Sequence, residues 1–171
     1  MNQSFKSILL WTSLPLVGLS GMLLAGESDP PTKARGEGSI TFAVEEHEKQ
    51  VFDDDDKPGR GYLLFQVERK PQGIVGSLLF GAEQHHGMLY PEVIVRVSNI
   101  QEVSFGQHHV EFSGKGKLHD DPVEVRVVAR DGTHRDEHDH FSIKCRNPKG
   151  EVVFHASGEL FAGDIKVGED Q

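Results

Sequence analysis

The densest chemistry in this sequence lies in one run of ten residues, Asp131-Gly132-Thr133-His134-Arg135-Asp136-Glu137-His138-Asp139-His140. Imidazole and carboxylate are ligands for zinc, copper and nickel, so His134, His138, His140 and Asp136 form a candidate set for a divalent transition metal. His138 and His140 stand two apart, and on an extended strand they would project to one side. His140 alternates with Phe141, which turns its ring away from the core. The same residues also suit a solvated loop, with Asp131 opening a turn at Gly132 and Asp139 capping the returning strand.

Other combinations are weaker. His85-His86 and His108-His109 are adjacent pairs, and neighbours on a strand point to opposite faces, so neither pair chelates through both rings. Asp53–Asp56 is a run of four acids without the alternating ligands and turn glycine of a calcium loop. Asp131 and Asp139 would serve as a catalytic carboxylate pair only across a cleft. Cys145 alternates in phase with Phe141 and Ile143, which places it in the core as a small hydrophobe. The chain has no G-x-S-x-G elbow and no glycine-rich phosphate loop opening a helix. No catalytic residue is assigned.

The elements that must position these groups are strands. From Gly38 onward apolar residues recur at period two, with no stripe of period 3.6 at helical length. The expected strands are Ser39–Val44, Tyr62–Val67, Gly73–Phe80, Glu92–Val97, His109–Phe112, Pro122–Ala129, Phe141–Cys145, Val152–His155, Ser157–Leu160 and Asp164–Val167. Gly, Pro, Asn and Asp clusters such as Asn147-Pro148-Lys149-Gly150 separate them. The fold class is all-β, an antiparallel β-sandwich or small barrel of about 8–10 short strands. Outward Lys and Glu would blunt its edges.

Ahead of the strands, residues 1–25 read as a signal peptide or signal anchor that forms an N-terminal apolar signal helix. Lys6 precedes the apolar run Ile8–Ala25, and Gly18 and Ser20 offer a small-x-small cleavage pattern. No Cys lies in or just after that run, which excludes a lipoprotein anchor. Residues 26–37, rich in Pro, Gly and charge, read as a flexible linker, and residues 38–171 as a single all-β domain. Export places the chain in the periplasm or outside the cell, and the membrane is a partner only if the segment stays uncleaved.

The chain carries 18 basic and 27 acidic residues, a formal net charge of −9. Such a surface repels phosphate backbones, which argues against nucleic acid as a partner. The single cysteine rules out an intramolecular disulfide, so the domain must be held by its own core.

The order of the C-terminal pieces is familiar. Phe112-Ser113-Gly114 is followed by the Val123/Val125/Val127 strand ending at Asp131. Next come Asp139-His140-Phe141-Ser142-Ile143 and a closing Ala156-Ser157-Gly158-Glu159-Leu160 through Gly163-Asp164-Ile165-Lys166-Val167. With Pro58-Gly59-Arg60-Gly61-Tyr62-Leu63 upstream, residues 59–167 resemble the post-COAP type of secreted β module. The resemblance implies an antiparallel β fold and an exported location, and it brings no catalytic residues.

These readings lead to a non-enzymatic binding or structural module of the bacterial cell envelope or exterior, with another envelope protein or a polysaccharide as partner. A metal-binding protein using His134, His138 and His140 is the alternative. A small hydrolase with a site assembled from distant strands is a further one.

Overall fold

Side chains two apart on an extended chain share a face, and the apolar residues obey that spacing through eight strands. The computed structural model describes residues 31–43, 58–83, 93–133 and 137–168. Within them run β1 (Lys33–Phe42), β2 (Gly59–Lys70), β3 (Gly73–Glu83) and β4 (Val93–Phe105). They are followed by β5 (His109–Leu118), β6 (Asp121–Arg130), β7 (His140–Arg146) and β8 (Val152–Val167). Each strand pairs antiparallel with the next, and β8 returns to β1, so the meander closes into a barrel. At the seam Ala34 faces Val167, and the Gly168 N–H donates to the Lys33 carbonyl at 2.9 Å.

An eight-stranded barrel has an interior just wide enough for side chains to fill. Here phenylalanines fill it. Phe112, Phe65, Phe141, Phe80, Phe154 and Phe42 form a continuous column with neighbouring ring centroids 5.6–6.1 Å apart. Aliphatic side chains such as Val95, Val127, Ile143 and Ile165 close around it, and all four are fully buried. Cys145 is buried with them, as its phase requires.

The outward phase is charged, with Arg35, Glu37, Glu124 and Arg126 exposed. A membrane-spanning barrel has the opposite arrangement, apolar outside and polar within. Among the described residues no helix is long and apolar enough to cross a membrane.

Several expectations change. The strands expected to end at Val97 and Phe112 run on to Phe105 and Leu118. The linker expected to run through Glu37 ends earlier, because Lys33–Glu37 is already strand and pairs on both sides, with β2 and with β8. Its inward residues are small (Ala34, Gly36), so the alternation there carries little apolar signal. The expected strands Val152–His155, Ser157–Leu160 and Asp164–Val167 are one 16-residue strand, β8. A register shift against Ser39/Ile40 and a glycine at φ 103°, Gly163, bend it without ending it. Closure also leaves no sheet edge for outward Lys and Glu to blunt. The apolar stretch of residues 1–25, the Asp53–Asp56 run and His85-His86 lie outside the described residues.

Candidate functional site

The connection from β6 to β7 is tied by its own carboxylates. Thr133 N–H donates to Asp131 Oδ1 at 3.0 Å, the local turn that an Asp before Gly favours. The Asp139 carboxylate accepts from Gly132 N–H at 2.8 Å and, across the sheet, from Ile165 N–H at 2.6 Å. Both aspartates therefore serve the backbone.

Of the candidate metal ligands, His134 and Asp136 lie outside the described residues. His138 is exposed in the loop, and His140 is half-buried at the start of β7. The His140 Nε2 lies 3.3 Å from Ser157 Oγ, while Nδ1 is enclosed with no hydrogen-bond partner among the described residues. Burial, and secondarily the Arg130 guanidinium, hold this ring's pKa below the usual histidine value, against a smaller opposite pull from Glu159. The ring is thus a neutral imidazole at neutral pH. Among the described residues no three His, Cys, Asp or Glu side chains converge as metal ligands.

A different surface does converge. Cross-strand register aligns Asp164, Glu37, Leu64, Leu79, Arg96 and Lys117 in one outward row over six adjacent strands from β8 to β5. A second row beside it holds Lys166, Arg35, Gln66 and Ser77. Lys115 joins the β5 end, opposite Asn99. The register shift between Val97 and Asn99 bends β4 there, as an extra residue in one strand of a pair does.

Together these residues line an open groove of about 1090 Å³. Its middle is apolar, with Leu64 55 % and Leu79 45 % exposed. The β8–β1 end mixes charge, Lys166 lying 3.6 Å from Asp164. The β4–β5 end is cationic. Among the described residues no carboxylate reaches salt-bridge distance of Arg96, Lys115 or Lys117. Tyr62 lies two residues before Leu64 on the same outward face, 40 % exposed. Its hydroxyl donates to the buried Glu83 carboxylate at 2.7 Å, and that bond raises the phenol's pKa above the ordinary value.

The chain matches no family model, no curated protein and no solved structure. Its own surface is therefore the guide to function. A second concavity, of about 580 Å³, lies over β4–β8, and its lining balances Glu102, Glu111 and Glu124 against Arg126, Lys144 and Arg146. Arg126 there lies 2.6 Å from Glu111, so the charge is partly spent internally. Of these two, the first groove pairs an apolar floor with a cationic end.

The sequence does carry a trace of that groove. Leu63-Leu64 and Leu78-Leu79 each put two leucines in succession on a strand, and strict alternation must then leave one of each pair outside. Which cations meet those leucines depends on register, which the alternation alone does not reveal.

Proposed function

We propose that this chain is an exported, non-enzymatic binding module of the bacterial cell envelope or exterior, of the post-COAP type, and that the outer groove over β1–β5 is its working face. The supporting observation is the exposed Leu64–Leu79 pair beside Arg96, Lys115 and Lys117, on a chain whose net charge is −9. Exposed leucines have a cost in water, and cations without carboxylate partners gain by meeting an anion. Phenylalanines pack the barrel interior, and the outer groove is the face offered to a ligand.

The test has two parts. N-terminal sequencing of the protein recovered from its producing cells is expected to find it outside the cytoplasm, with residues 1–25 removed or membrane-held. A screen of envelope fractions is expected to show binding that Leu79→Ser and Arg96→Glu weaken. Recovery from the cytosol with an intact N-terminus overturns the exported reading. Turnover of a substrate that disappears in Asp131→Ala or His138→Ala overturns the non-enzymatic one.

A further inference from the structure

The groove is chemically asymmetric along its length, and the asymmetry selects among anionic ligands. At the β4–β5 end, Arg96 and Lys117 stand directly opposite each other on neighbouring strands, with Lys115 two residues along. Three donors that close together suit a carboxylate or sulfate. In the middle, Leu64 and Leu79 face each other across β2 and β3 and offer a flat apolar platform. Beside it stand neutral hydrogen-bonding groups, Gln66 and Ser77, also directly opposite each other. At the far end the Glu37 and Asp164 carboxylates are cross-strand neighbours, with Lys166 3.6 Å from Asp164 and Arg35 opposite Lys166, so that end offers both acceptors and donors to hydroxyls.

A ligand that satisfies all three zones must carry an anionic group, an apolar face and hydroxyls that donate to carboxylates. Condensed phosphates have no apolar face for Leu64 and Leu79 and no hydroxyls to donate to Glu37 and Asp164. A fatty acid has no hydroxyls for Gln66 and Ser77. Sugar acids have all three features: C–H faces on the ring, hydroxyl donors, and a carboxylate or sulfate. Neighbouring strands lie about 4.8 Å apart, so the row follows the curve of the barrel for roughly 24 Å of arc, room for a few linked sugar rings on a chain that bends with it.

We infer that the groove binds an acidic polysaccharide, with ring faces on Leu64 and Leu79 and the acidic groups at Arg96, Lys115 and Lys117. The inference rests on the groove being the working face of the module, and it names what that face recognises.

The full chain is titrated calorimetrically with polygalacturonate, with chondroitin sulfate, with neutral dextran and with polyglutamate of similar length. Binding of one or both acidic glycans, without binding of dextran, is expected. Arg96→Glu/Lys117→Glu is expected to weaken it by at least about tenfold, the scale of a charge-assisted contact. Leu79→Ser is expected to weaken it several-fold. Lys144→Glu, on the outer face of β7, is expected to leave it unchanged. Circular dichroism melts establish that each variant is folded. Raising NaCl is expected to weaken binding without abolishing it, because the apolar platform is not screened.

Glycan binding that Arg96→Glu/Lys117→Glu leaves intact, or that Lys144→Glu weakens equally, overturns the inference. If polyglutamate binds at the groove and neither acidic glycan does, the polysaccharide assignment falls while the module reading stands. If no anionic probe binds, both fall.

Discussion

The Asp139 carboxylate accepts one N–H from the turn it closes and one from Ile165 in the last strand. Replacing it with Ala leaves both donors without that partner, and an unmet half-buried donor costs more than the bond itself contributed. Asp139→Ala is expected to lower stability by about 2–4 kcal/mol, and Asp139→Asn by less, since one carbonyl oxygen remains. Urea denaturation measures both. His140 gives a pH dependence of definite sign. Its pKa is depressed in the fold, by burial first and by Arg130 second, so the unfolded chain binds the proton more readily. Its contribution is complete above the ordinary histidine pKa and is lost as pH falls below it. His140→Asn is therefore expected to have a shallower drop in urea midpoint between about pH 7.5 and about pH 5.5. Equal slopes in the two proteins would show that the enclosed ring is not the responsible group. Cys145 and His140 were both legible in the sequence by phase alone, one interior and one turned outward. The enclosure of His140 Nδ1 was not, because it depends on what neighbouring strands place around the ring.

At the scale of the strand, alternation located at least part of each of the eight, wherever the inward residues are large. β6 is the clearest case, with Val123, Val125, Val127 and Ala129 inward and Glu124 and Arg126 outward. β1 and β8 were misread where glycine occupies the inward phase or a bend, since a missing side chain erases the periodic signal. Gly163 is the informative position. It sits at φ 103°, and a Cβ there would lie 2.1 Å from the Glu37 carbonyl oxygen. Gly150 also has positive φ, 85°, but a Cβ there would meet nothing within 4 Å. Gly163→Ala is thus expected to cost more than Gly150→Ala, whose penalty is backbone strain alone, of about 1–3 kcal/mol. Thermal melts of the two variants check the order. Comparable losses would mean that β8 shifts readily at Gly163 and that the bend is not held by contact with β1. Beyond its doubled leucines, the groove was illegible for a related reason. Leu64, Leu79, Arg96 and Lys117 belong to four strands, and only their register makes them neighbours.

For the whole molecule, the decisive pairing is between the first strand and the last. Residues 120 or more positions apart in sequence meet there, Ala34 with Val167 and Ile40 with Leu160. Contacts so distant along the chain delay folding, since the loop must close before the pairing rewards it. Closure also means that no part of the sheet is a separable unit. Ending the chain after Leu160 removes the β8 partners of residues 34–39 and exposes one side of β1. Such a truncation is expected to lose the sharp, single unfolding transition of the intact protein. A sharp transition retained at an unchanged midpoint would show that β2 alone holds β1 in place.

The Gly168-to-Lys33 hydrogen bond has one more consequence. Because the barrel's two ends touch, the point at which the polypeptide starts is arbitrary with respect to the sheet. A circular permutant with a short bridge from residue 168 to residue 33, cut open at the Pro148-Lys149 turn between β7 and β8, would put every strand beside its present neighbours. It would also move the chain ends from the rim that holds residues 33 and 168 to the opposite rim, so the orientation of the groove relative to anything fused there becomes something an engineer can choose.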